Sequence, residues 1–539
     1  MKINERFKRL MAKVSNNAVA LAADMKAAKE YKDIFELGGV PAFNQFYNFG
    51  IFPWKYVYRG FYKAWHVIKA PTIADPNAKR QLNYLNMAKA LSSELAGMVW
   101  TDQCEVNLTS EGAGENDKLH DFVNDVLISN NFNVKMLEAI EQCAALGGEA
   151  LKVWYEVKRD EEGNEIEGSG RIKIGFCMSD QFVPTAWDNA EVSEAVFVDR
   201  KAKNGYYFTR LEWHEWNGTT YVIKNELYRA DITQNGETQD ILGFRYPLNL
   251  VYPYMAELTE LPQFDKSLFS YFRTPTANNL DDNSPLGVSI YANAMDTLHA
   301  LDIAYDSFIR EFRLGKKRII VPARMIKKVT DPVTGKMVRY FDATDETYEA
   351  LSTDDPDSLK IQDNSVELRV EEHVAGINAF LNILCLQVGL SAGTFSFDAK
   401  NGLKTATEVV SENSKTYKTV KNFQNMIKPA IVRLVENIIA IASLYELEYD
   451  GAKVADLAKN GYEVSIVMDD GITQDRQTNI NEGLQLVNAK LMSKKKFLTD
   501  PKYGQGLTEE QADEELQQIA SESQVNAINV DLMNINTAE

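Results

Sequence analysis

Apolar residues recur every three or four positions along several stretches of the chain, and every second position in one compact region. Within 80–98, Leu82, Leu85, Met87, Leu91 and Leu95 are near helical spacing, which predicts a helix. Two more helices are expected over 119–130 and 133–145, the second stopped by Gly147-Gly148. Residues 1–150 therefore read as mostly helical. The pattern then changes. Residues 151–157 (Leu-Lys-Val-Trp-Tyr-Glu-Val) are rich in strand formers and face 171–176 across a polar, glycine-containing loop. A second hairpin is expected from 206–216 and 219–228, turning at Asn217-Gly218. Residues 150–265 thus predict an antiparallel sheet.

Ser284-Pro285 resembles a helix N-cap followed by proline at the first helical position. Beyond it Ile290, Ala294, Leu298, Leu301, Tyr305, Phe308 and Phe312 form one apolar stripe. A helix over 286–314 would be about 43 Å long at 1.5 Å per residue. It ends at Gly315, with Lys316, Lys317 and Arg318 just beyond, where cations suit the negative helix end. A small insert follows, with strands expected over 318–322 and 337–341, a turn at 331–335 and an acidic loop at 353–357. Val370, Val374, Ile377, Leu381, Leu384 and Val388 then repeat at alternating spacings of four and three, a helix-packing seam that stops at Gly389. After a loop over 390–403, a third long helix is expected from near Lys404, with Thr405 and Glu408 as a capping box and Pro429 as a bend. From Asp470 onward the chain reads as polar helix with few large apolar residues, suited to packing against neighbouring subunits. Two long helices around a small module suggest a stalk, repeated around an axis to line a tube. On pattern alone, an ordinary helical hairpin in a globular core is the simpler reading.

Composition narrows the classes. Hydrophobic residues make up 45% and charged residues 25% of the 539, ordinary for a globular protein and more chain than one core usually fills. No run of about 18 uncharged apolar residues predicts a membrane span, and the start of the chain lacks the apolar core of a secretory signal. Cys104, Cys143, Cys177 and Cys385 are scattered without a CxxC pair, which argues against a disulfide framework or a zinc site. The net charge of −19 argues against a protein that grips DNA. It is compatible with one that DNA slides past, and equally with ordinary solubility. No phosphate loop, HExxH or GxSxG motif is present. The five histidines (His66, His120, His214, His299 and His373) are far apart, although His299 and His373 lie on the two long helices, placed to face each other. Packing roles are the simpler reading for both. Asp354-Asp355 and Asp469-Asp470 read as solvated turns before they read as metal ligands.

The order of elements, with several short stretches, resembles the portal proteins of tailed bacteriophages. It is closest to the branch typical of long-tailed phages of Gram-positive bacteria. The stretches are Gly147-Gly148-Glu149-Ala150-Leu151-Lys152-Val153, then Ser284-Pro285-Leu286-Gly287-Val288-Ser289-Ile290-Tyr291 and Glu311-Phe312-Arg313-Leu314-Gly315-Lys316-Lys317-Arg318-Ile319. Leu368-Arg369-Val370-Glu371-Glu372-His373 and Phe395-Ser396-Phe397-Asp398 with Gly402-Leu403-Lys404-Thr405-Ala406-Thr407-Glu408-Val409 complete the series. No single piece is diagnostic; the likeness lies in their order, over about residues 40–520.

The resemblance implies an α+β, mainly helical portal-type fold in a ring, usually of twelve subunits, around a central channel. By position it makes 1–283 the wing, 284–315 and 367–389 the stem helices and 316–366 the clip. It makes 390–403 the tunnel loop, 404–469 the bent helix and remainder of the wing, and 470–539 the crown and tail. It implies no catalysis, cofactor or metal. Its partners would be the terminase motor, capsid and scaffolding proteins, head-completion or adaptor proteins and double-stranded DNA passing without sequence readout, with no membrane. The place would be the capsid portal vertex, and the host cytoplasm during assembly. Lys400 and Lys404 are the residues expected nearest DNA, and Lys316, Lys317 and Arg318 a basic group beside the clip; solvated helix ends explain both sets equally well. Another head–tail connector or ring protein of the virion remains an alternative. A packaging ATPase or nuclease is disfavoured by the missing phosphate loop.

Overall fold

The computed structural model describes residues 46–519 apart from 72–74, 111–116, 161, 167, 190, 233–241, 263, 316–317, 321–326, 331–334, 336, 341–361, 365–366, 397–405, 460, 469–475, 501–502, 504–511 and 514. The fold is mixed α+β, with helices packed on antiparallel sheets. Helix α1 spans Phe52–Tyr58, with Pro53 in its first turn, where a missing N–H costs nothing. Strands β1 (Val67–Lys69) and β2 (Lys79–Gln81) pair, and helix α2 covers Met87–Val99. The helix expected over 80–98 is thus a strand and a shorter helix. Leu82 is buried, but its N–H donates to His66 O across the chain instead of along a helix.

Strand β3 (Glu105–Ser110) leads to helix α3 (Lys118–Ser129), whose N-cap is the Asp117 carboxylate accepting from Leu119 N and His120 N. Helix α4 (Phe132–Leu146) stops at Gly147, as expected. Gly147 has φ +94°, and a Cβ there would lie 2.3 Å from the Gly287 carbonyl oxygen, so only glycine fits.

Strand β4 (Gly148–Glu156) pairs with β5 (Arg171–Met178), the expected hairpin, with Val153 opposite Ile174. Next come β6 (Phe182–Asp188), β7 (Glu191–Lys203), β8 (Tyr206–Asn217), β9 (Thr220–Asp231), β10 (Phe244–Tyr246), β11 (Leu258–Pro262) and β12 (Phe269–Arg273). Strands β10-β9-β8-β7-β6 form one sheet in that order, with β11 also on β9, while β12-β4-β5 form another. The hairpin turn is shifted one residue from expectation. Asn217 pairs with Thr220, leaving Gly218-Thr219 as the loop, with Gly218 at φ +63°. A glycine at the first loop position suits a type II′ turn, whose twist matches the strands.

Helix α5 is Met295–Leu314, about nine residues shorter at its start than the sequence predicts, and so about 30 Å long at 1.5 Å per residue. Residues 284–291 are instead threaded into the core. Leu286, Val288 and Tyr291 are fully buried, and their segment is bonded sideways: Thr274 Oγ1 donates to Val288 O and Ile290 N to Ala144 O. Ser284 Oγ accepts from Leu286 N, a local turn that does not cap the helix.

Beyond α5, β13 (Arg318–Ile320) and β14 (Lys327–Thr330) precede β15 (Met337–Tyr340) and β16 (Gln362–Asn364). Strand β13 pairs with β16 and β14 with β15, so a small two-hairpin insert does follow the first long helix. Helix α6 is Val370–Val388, and helix α7, Ala406–Leu444, runs without interruption through Pro429. The Thr405–Glu408 capping box lies outside the described residues. After α7, β17 (Glu448–Tyr449) pairs with β18 (Ala452–Lys453), and β19 (Tyr462–Val467) pairs with β3, closing the chain back onto its N-terminal half. Helices α8 (Arg476–Asn488) and α9 (Lys494–Thr499) agree with the polar helical C-terminal region expected. A single apolar cluster joins α1–α4, both main sheets and the buried sides of α5, α6 and α7.

Candidate docking and channel elements

The core-facing side of α5 carries two acids in its stripe. Leu298 and Leu301 are buried, but so are Asp302 and Asp306. A buried carboxylate needs partners, and both have them. Asp302 accepts from Leu85 N at 2.8 Å and lies 3.0 Å from His66 Nε2. His66 Nδ1 accepts from Tyr62 N, so the ring proton sits on Nε2 and points at Asp302. Asp306 accepts from Asn83 N and Nδ2 at 3.0 Å each, and its two oxygens face Arg80 at 2.8 Å. Burial pushes the Asp306 carboxyl up, but the Arg80 guanidinium and the Asn83 amides outweigh it and leave the carboxyl below its ordinary range. The base of α5 is thereby fastened to residues 80–85 by polar bonds. The sequence signal was there: residues 298, 302 and 306 are four apart, one helix face that is not wholly apolar.

Helices α5 and α6 are antiparallel, since the end of α5 meets the start of α6. Arg369 grips Glu311 with two bonds, Nε to Oε1 at 3.0 Å and Nη2 to Oε2 at 2.9 Å. The fork geometry, helped by nearby His373, holds the Glu311 carboxyl down to about 2. Gly315 lets the chain leave closely: a Cβ would lie 2.5 Å from Leu368 Cδ2. His299 and His373 do not meet. His299 stacks on Trp65 with ring centres 4.8 Å apart, whereas His373 contacts Phe308 at 5.7 Å and lies 3.8 Å from Glu311. Helix packing sets the two histidines at different heights along the antiparallel pair.

The helix pair is only half covered. Ile377, Leu381, Leu384 and Val388 face the core, as their spacing predicts. On other faces Ile303, Phe312, Leu314, Ile383 and Leu386 are exposed, Leu386 at 66%. The loop after α6 starts firmly. Gly389, at φ +85°, ends the helix. Ser391 is buried, its N–H donating to Thr416 Oγ1 at 2.9 Å, while Thr419 Oγ1 donates to Gly389 O and Asn382 accepts from Gly393 N. Helix α7 therefore positions the loop's first residues. Lys400 and Lys404 lie outside the described residues, as do Lys316 and Lys317; Arg318 opens β13 opposite Asn364. The structure thus brings none of the basic residues singled out from sequence into a described site.

Among the described residues no three His, Cys, Asp or Glu side chains gather as a metal site, and no helix is long and apolar enough to cross a membrane. The described cavities are polar clefts. The larger, about 540 Å³, lies between β3, α3 and the start of α4 and is lined by Asn107, His120, Asn124 and Asn131. Cys104 and His120 both line it, but Cys104 Sγ lies against Thr101 and His120 Nδ1 accepts from Leu108 N, so each has a structural partner of its own.

No curated protein matches the chain. A family model described as "Phage portal protein, SPP1 Gp6-like" matches residues 54–527, nearly the whole chain. The chain belongs to the phage portal protein family. Its function is that of a phage portal protein, a structural component of the virion that serves DNA packaging. The resemblance read from the short motifs is therefore the correct one, and it runs through both sheets, the helix pair and the loop.

Proposed function

We propose that copies of this portal protein close into a ring, of twelve subunits by the family's habit, with α5 and α6 as stem helices around a channel. The observation that carries the reading is the half-covered helix pair. Its inner side is buried in the subunit, while Ile303, Phe312, Leu314, Ile383 and Leu386 are left for a neighbouring copy. Burial of apolar area is the main drive for such association. Residues 1–283 form the wing, with α7 and the rest of 404–469. The insert 316–366 forms the clip at the far end of the stem, and 470–539 the crown and tail. The loop 390–403 projects toward the channel from the fixed base at Ser391. The clip is the surface for the terminase motor during packaging and for head-completion proteins afterwards; the motor, not the portal, hydrolyses ATP. Capsid and scaffolding proteins meet the wing at one vertex of the virion after assembly in the host cytoplasm. Lys400 and Lys404 make transient, salt-sensitive phosphate contacts with passing DNA. Electron-microscopy class averages of the purified protein test this. Top views with a central hole and a fixed rotational symmetry are expected; compact monomers under assembly conditions would refute it.

A further inference from the structure

The far end of the six-stranded sheet has a charge unlike the rest of the chain. Five paired rows run from Lys203–Tyr206–Asp231 to Asp199–Arg210–Leu227–Tyr246. On the face shared by rows 199, 201 and 203 they hold four cations, Lys201, Lys203, Arg210 and Arg229, against two carboxylates, Asp199 and Asp231, while Arg200 and Arg245 lie on the opposite face, in a chain of net charge −19. Lys203, Arg229 and Arg245 have no carboxylate partner among the described residues. Lys201, Lys203 and Arg245 are exposed.

Aromatic rings hold the cations in place. The Arg229 guanidinium lies over Tyr206 at 4.6 Å and over Tyr246 at 5.1 Å, with Phe208 against Tyr246 at 5.5 Å. Lys201 lies 5.5 Å from the Tyr252 ring and Arg200 5.5 Å from the Tyr207 ring. A guanidinium on a ring face keeps its N–H edge free for an anion and loses little freedom on binding. Arg229 occupies ring faces on which an unpaired base would stack. The patch therefore suits a phosphate backbone better than splayed bases.

We infer that this face of the sheet's far end, formed by Lys201, Lys203 and Arg229, is a sequence-independent contact surface for the phosphates of duplex DNA. The protein handles DNA in packaging, so a polyanion of matching charge is at hand; naming it duplex DNA rests on the portal function, whereas the patch itself does not. It lies on strands β7 to β9, which make no packing face with α5 or α6, so the contact is distinct from the one proposed for the stem.

The test is a fluorescence-anisotropy titration of a labelled random-sequence duplex with the full-length protein across a salt series. The triple variant Lys201→Gln, Lys203→Gln, Arg229→Gln is compared with Lys135→Gln, Lys459→Gln, Lys495→Gln, which removes the same charge elsewhere. Circular dichroism and ring images confirm that each variant folds and assembles as the wild type does. The expected result is at least about tenfold weaker binding at low salt for the patch variant alone, with a log–log salt slope shallower by about 2–3, since each phosphate contact contributes about 0.9. Equal loss in both variants, or no loss in either, overturns the inference while leaving the ring reading intact. Failure of the wild type to form rings would instead count against the ring reading. Competition by poly-glutamate as effective per charge as duplex DNA would also overturn it, assigning the surface to an acidic protein.

Discussion

Two buried carboxylates show how the same group stabilises or strains the fold according to its partners. Asp306 is surrounded by Arg80 and Asn83, whereas Glu149, fully buried in β4, has no hydrogen-bond partner on either oxygen among the described residues. Burial, reinforced by the charge of Asp180 and only partly offset by Lys55, pushes the Glu149 carboxyl well above its ordinary value. The two titrations have opposite signs. Glu149 with its raised folded value binds its proton more tightly when folded. Its stability contribution is complete below roughly pH 4, the ordinary glutamate value, and is lost as pH rises toward the folded value. Asp306 with its lowered folded value contributes above roughly pH 4 and loses that contribution as pH falls. Thermal melts between pH 4 and 8 check both. Glu149→Gln gains stability over the wild type increasingly toward pH 8. Asp306→Asn loses about 1–3 kcal/mol at pH 7, the usual cost of leaving buried partners of a charged group unmet, and this deficit shrinks toward acid. A flat difference for Glu149→Gln would mean that its carboxyl is solvated.

At the scale of elements, α6 separates folding from assembly. Leu381 is buried at 2% exposure, whereas Leu386, little more than one turn away, is 66% exposed. Leu381→Asp puts an unpaired charge into the core and is expected to abolish soluble folded protein. Leu386→Asp leaves the subunit core intact and is expected to yield folded chains that assemble poorly. Size-exclusion chromatography with light scattering, alongside circular dichroism, distinguishes the two. Wild-type rings from both variants would remove α6 from the stem. The seam along α6 was legible in the sequence from Ile377 to Val388, where burial follows helical spacing, whereas Val370 at its expected start is exposed. The start of α5 was not. Ser284-Pro285 satisfies every local rule for a helix start, yet Leu286, Val288 and Tyr291 gain more by filling the space beside Gly147 than a helix turn returns.

At the scale of the whole molecule, the ring proposed above assigns the loop after α6 to the part of each subunit that meets DNA. Replacing Lys400 and Lys404 with Glu is expected to leave rings intact and lower packaged DNA several-fold, each lost phosphate contact being modest and salt-dependent. Quantifying DNA protected from nuclease in assembled particles measures this. Normal filling would free these lysines from any channel role. Such a defect is separable from one at the sheet's basic end, because the proposed ring assigns the stem and its loop to the axis and the sheet to the wing.

The sequence by itself determined the local elements: the β4–β5 and β8–β9 hairpins, α4 with its glycine stop, the α6 seam, and the order of pieces that marks a portal protein. These follow from periodicity and turn chemistry, which act within a few residues. Only the tertiary structure decided the pairing of β3 with β19, more than three hundred residues apart, and the fastening of α5 to residues 80–85 through Asp302 and Asp306. It also decided the gathering of cations from three strands at one end of a sheet. Those depend on which distant segments meet, and short-range patterns carry no record of register between strands far apart in the chain.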